Sequence, residues 1–170
     1  VGLKKNGQTI ATGYNGEGQC DDINSWRGIK SVSFFNHNAI GLTYSGELVC
    51  SGNLKNNRIW SSLKNIEKVC TGGDRVSLLK KDGTMSFLRF RDKSVFIEEV
   101  PVSLYGITDI YAQGNRTYAV NREGRVSIIG KPEYDESAIV SGIGIKKIQT
   151  GYGWTIALND FGKLVLAGNL

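Results

Sequence analysis

Leu3-Lys4-Lys5-Asn6-Gly7-Gln8-Thr9-Ile10-Ala11-Thr12-Gly13 decides the fold, because its pattern returns four more times along the chain. In each copy a turn pair ending in Gly separates two short apolar runs. The pairs are Asn6-Gly7, Ser45-Gly46, Asp82-Gly83, Glu123-Gly124 and Phe161-Gly162. Successive turn glycines stand 39, 37, 41 and 38 residues apart. A steady period near 40 residues marks a repeat architecture, in which one small unit buries its apolar face only by stacking on the next.

Four residues before each turn Gly stands an aliphatic: Leu3, Leu42, Leu79, Val120 or Leu158. Two residues after it stands Thr9, Leu48, Met85, Val126 or Leu164, and four after it Ala11, Cys50, Phe87, Ile128 or Leu166. Side chains alternate along a strand, so these last two positions share a face. Six after the turn comes Gly13, Gly52, Gly130 or Gly168, and only the third copy departs, with Arg89. The turn pairs suit a two-residue hairpin with Gly second, and a longer turn with Gly left-handed fits them too. A further strand precedes the last four hairpins, anchored by Ile29/Val32, Ile66/Val69, Ile107/Ile110 and Ile145/Ile148. No segment carries a helical stripe, and residues 16–28 read as one irregular turn. Small antiparallel sheets stacked radially make a propeller. The expected fold is therefore all-β: a propeller-type array of about four and a half blades. It forms a single repeat domain over residues 1–170, partial or completed by another chain. By position, Leu158 should be as deeply buried as its four counterparts.

The bulk composition agrees. The chain has 40% hydrophobic and 22% charged residues, which fits a globular protein and not a disordered one. Its 22 glycines and two prolines read as tight turns between short strands. No apolar stretch reaches the ~20 residues of a membrane helix, so no membrane partner is expected. Cys20, Cys50 and Cys70 form no metal-type pair and read as small buried hydrophobes, mildly favouring a reducing, cytoplasmic compartment. The formal net charge of +5 raises the prior for an acidic partner. Its basic residues are scattered, with Arg89, Arg91 and Lys93 the densest group.

The stretch Val1 to Gln19, with Leu-x-x-x-Gly-x-x-x-x-x-Gly-x-Asn-x-x-Gly-Gln from Leu3 onward, resembles the repeat of the regulator of chromosome condensation family. Gly151-Tyr152-Gly153-Trp154-Thr155-Ile156-Ala157-Leu158 is similar to that family's lead into the hairpin, and Ala11 to Cys20 followed by Trp26 is similar to its compact bacterial versions. The resemblance implies a β-propeller of four-stranded blades that works through protein–protein contacts. The His expected before Thr is replaced by Asn38, Arg75, Arg116 and Trp154.

Little in the sequence points to chemistry. Gly13-x-x-Gly16-x-Gly18 lacks the following helix that a phosphate loop needs. His37 stands without triad context, and Glu133, Asp135 and Glu136 lack metal-loop spacing. No enzyme, cofactor or metal is expected. Asn38, Arg75, Arg116 and Trp154 occupy equivalent places, and Arg and Trp are enriched at binding hot spots. Arg75, Arg116 and Trp154, with Trp60, Tyr134 and Phe96 from inserts 53–60, 131–137 and 89–98, are the candidate partner contacts. The expected function is a non-enzymatic protein-binding scaffold. Self-association that completes the propeller is a further expectation, and a nucleic-acid or chromatin-associated module is the alternative.

Overall fold

A computed structural model of the protein describes residues 1–73, 75–91, 94–100, 104–131 and 134–168, without the side chain of Arg91. Lys93 and Glu133 lie outside the described residues. The first unit contributes strands β1 (Gly2–Leu3) and β2 (Thr9–Ile10). The second contributes β3 (Ile29–Phe35), β4 (Asn38–Thr43) and β5 (Leu48–Gly52). The third contributes β6 (Ile66–Gly72), β7 (Arg75–Lys80), β8 (Met85–Arg91) and β9 (Ser94–Glu99). The fourth has β10 (Ile107–Gln113), β11 (Arg116–Asn121) and β12 (Val126–Ile129), and the fifth β13 (Ile145–Gly151), β14 (Trp154–Asn159) and β15 (Leu164–Gly168). Each unit is its own antiparallel sheet in chain order. Helical structure among the described residues is a 3-10 turn at Ile23–Ser25 and two four-residue helices, α1 (Ile59–Ser62) and α2 (Ser137–Val140).

The sheets stack as blades. The first strands β3, β6, β10 and β13 contact one another in sequence order, which places them on the inner side of the stack. One face of each blade meets the opposite face of the next. Leu79, Met85 and Phe87 of the third blade pack on Ile107, Ile110 and Ala119 of the fourth. Tyr118, Val120 and Val126 of the fourth pack on Ile145, Ile148, Ala157 and Ala167 of the fifth. The repeated apolar positions are thus the interblade core, as their alternation requires. The two end units depart from this: Leu3 is 41% exposed, and Leu158 is not fully covered either. Leu158 is half-buried, with Leu164 57% exposed, because no further blade covers this face among the described residues.

The turns take the longer of the two expected forms. Gly46 N–H donates to Thr43 O at 3.0 Å and Thr43 N–H to Glu47 O at 3.0 Å, a three-residue loop that recurs at the other turns. The five turn glycines have φ between 69° and 89°, and the residues before them are not left-handed. The free carbonyl of the turn Gly then accepts from the next blade. Ile66 N–H reaches Gly46 O at 2.9 Å, Ile107 N–H reaches Gly83 O at 3.2 Å, and Ile145 N–H reaches Gly124 O at 2.9 Å. This bond accounts for the constant spacing of hairpin and following Ile. Replacing Gly83 (φ +84°) by Val should cost about 1–2 kcal/mol for the left-handed backbone. An unchanged urea midpoint would show that the turn does not need it.

The glycines six residues on have a different reason. At Gly52, Gly130 and Gly168 an added Cβ would collide with the backbone carbonyls of His37, Asn115 and Gly153 respectively. Arg89 stands at the equivalent place in the third blade, and there β8 runs on and pairs with a fourth strand, β9. Arg89 Nε donates to Glu98 Oε2 across that pair at 2.8 Å.

Candidate binding face

At one end of each blade the first strand turns into the second, at residues 36–37, 114–115 and 152–153 in the second, fourth and fifth, and the third strand runs into whatever follows the blade. The inserts therefore gather at this end. Ser51 Oγ donates to Gly18 O at 3.0 Å and also to Asp21 O, tying the second blade to the insert of the first. Tyr152 is 99% exposed at a turn here, with Tyr14 exposed on the first insert.

Beneath these loops lie the four equivalent residues singled out by the repeat. Asn38 is buried, and its Oδ1 accepts from Leu54 N–H at 2.8 Å, fixing the start of the second blade's insert. Trp60 is buried in the same insert, where its indole N–H donates to Leu54 O at 2.7 Å. It fills the core between the second and third blades and does not project from a blade edge. Arg75 is buried with its guanidinium 5.0 Å from the Phe87 ring. Trp154 is half-buried, its ring against Gly151, and Phe96 is exposed on β9. Three of the six expected contacts, Arg75, Arg116 and Trp60, are thus interior side chains.

Arg116 is the most deeply set, at 1% exposure. Its Nη1 lies 3.1 Å from Glu136 Oε1, and its Cζ lies 4.4 Å from the Tyr134 ring centre. Tyr118 O–H donates to the same Glu136 Oε1. Thr155 Oγ1, on the fifth blade, lies 3.0 Å from the Tyr118 oxygen and 2.7 Å from the Tyr134 oxygen. The network binds the insert at 134–140 to two blades at once. Burial works against the Arg116 charge, but Tyr118, Glu136 and Tyr134 outweigh it and hold its pKa above the ordinary value. Burial first, and then the bond to Glu136, push the Tyr118 phenol up. A buried pair of this kind offsets its desolvation through close geometry and added hydrogen bonds, here the one from Tyr118 to Glu136 Oε1.

In the sequence Arg116 and Tyr134 are separate candidate contacts, and Glu136 has no role beyond a group without metal-loop spacing. The available signal is a carboxylate two residues after an insert Tyr, in the insert that follows Arg116. All three thiols are free and partly buried. Burial pushes Cys50 to about 12 and Cys70 to about 11, which keeps both protonated at neutral pH.

No family model matches the chain, and no curated protein matches it. Solved structures do. Human WBSCR16 is 19% identical with a TM-score of 0.65, over 91% of this chain and 55% of that one. Saccharomyces cerevisiae Prp20p, described with its binding properties to Gsp1p and histones, is 13% identical with a TM-score of 0.59, over 82% of this chain and 45% of that one. The CRINKLY WD40 ectodomain of the Arabidopsis thaliana receptor kinase ACR4 is 15% identical with a TM-score of 0.55, over 84% and 50%. The fold is a β-propeller of the regulator of chromosome condensation type. The chain spans about half the length of these structures.

Proposed function

We propose that this propeller is a non-enzymatic protein-binding scaffold that works through its insert-bearing end. The observation that carries this reading is that buried side chains fasten the inserts to the blades: Asn38 and Trp60 for one, Arg116 with Glu136 for another. A loop fixed in advance loses little conformational entropy on docking. Tyr134 and Trp154 keep part of their surface at this end, while Arg75, Arg116 and Trp60 shape it from below. The likeness to Prp20p, which is described as binding Gsp1p and histones, supports a protein partner. Self-association is the reading of the uncovered fifth-blade face, where a second copy would add its own sheet.

Photo-crosslinkers placed at Tyr152 and at Tyr44, which lies at the opposite hairpin end, test the scaffold. Discrete protein adducts are expected from position 152 and not from position 44. Equal labelling from both ends would remove the proposal.

The alternative, nucleic acid, draws on the net charge of +5. Many basic groups are already engaged, including Lys30 with Glu67, Lys64 with Glu47, Lys68 with Asp109 and Lys146 with Asp160. Duplex DNA binding is expected to be undetectable at about 50 mM salt, and affinity falling steeply toward about 200 mM would favour the alternative.

A further inference from the structure

We infer that a cavity beside the fourth blade receives a lysine or arginine side chain of the partner protein, an inference that rests on the scaffold function proposed above. The cavity, about 390 Å³, lies between the end of β12 and the insert, and Ile128, Tyr134, Asp135, Glu136 and Val140 line it. Glu136 is 5% exposed. Its Oε1 is taken by Tyr118 and Arg116, and its Oε2 accepts no hydrogen bond. An ionised oxygen buried without a donor is costly, and a donor arriving with a ligand removes that cost. Asp135 adds a second carboxylate, which the backbone N–H of Ser137 holds below the ordinary carboxyl range.

The lining selects the ligand. An anion would meet two carboxylates against the one cation already paired with Glu136. A neutral apolar group would leave Oε2 without a donor. A metal ion has too few ligands, since the described residues contain no group of three metal-ligating side chains. A cation on an aliphatic stem satisfies both halves of the cavity: its head bonds Oε2 and Asp135, and its methylenes lie along Ile128 and Val140. The guanidinium and ammonium groups share this chemistry.

The test is an NMR titration of the ¹⁵N-labelled protein with acetyl-arginine amide, acetyl-lysine amide and acetyl-norleucine amide. Saturable shifts confined to residues 128–140 are expected for the two cations, with norleucine weaker by about tenfold, the worth of a charge-assisted hydrogen bond. Asp135→Asn, an exposed change outside the buried pair, should weaken the cations several-fold and leave norleucine unmoved. Glu136→Gln should abolish the discrimination; if it unfolds the insert, Asp135→Asn carries the comparison. Absence of saturable shifts, or equal affinity for norleucine, overturns the cation site and leaves the scaffold reading to the crosslinking experiment. Selective binding of arginine amide alongside failed crosslinking upholds the cavity and removes only the scaffold.

Discussion

Glu136→Ala should destabilise the protein by about 3–5 kcal/mol, because it takes a buried carboxylate away from the buried Arg116 guanidinium. The same change removes the acceptor of the Tyr118 hydroxyl. The loss should fall first on the insert, with faster amide exchange at residues 134–140, and then on the joint between the fourth and fifth blades through Thr155. The double variant Arg116→Met with Glu136→Leu separates the pair from its surroundings. Apolar replacement of both ions is often neutral or stabilising, so the double variant should recover most of the single loss. Urea midpoints give both quantities. A single-variant loss under about 1 kcal/mol would mean that water reaches the site and the pair behaves as a surface bridge.

The difference between what sequence and structure reveal follows from how far each interaction reaches. Turn glycines and the aliphatics around them are legible in the chain because their causes are local or strictly periodic. Gly46 is required by its own φ, and Leu48 and Cys50 face one way because a strand alternates. Interblade stacking is legible for the same reason, since one unit cannot bury its face alone. The role of Arg116 is not legible. A lone Arg ahead of a strand reads equally as a contact or as a core ion, and only the path of the insert, which brings Glu136 over it, decides. Trp60 is similar: an insert Trp reads as an edge contact until residues 53–63 fold back and give its indole the carbonyl of Leu54. Arg89 was visible as a break in the glycine pattern, but the strand it continues into depends on β9 pairing from further along the chain.

Leu79→Ala and Leu158→Ala occupy the same repeat position and should differ widely. Leu79 is 1% exposed and packs on the fourth blade, so its truncation removes buried methyls and leaves a cavity, at a cost of about 2–5 kcal/mol. Leu158 faces the groove bounded by Ile156 and Leu164, where solvent already reaches the strand and can occupy the space left behind. Its loss should stay near or below about 1 kcal/mol, as for surface-like sites. The comparison reads the covering of the fifth blade directly. If a second copy seats there in solution, Leu158→Ala acquires a cost approaching that of Leu79→Ala, and the cost grows with protein concentration, since the stability of an associating protein depends on mass action. Equal losses at all concentrations would mean that the fifth-blade face is already covered within one chain, contrary to the half-exposed position of Leu158 seen here.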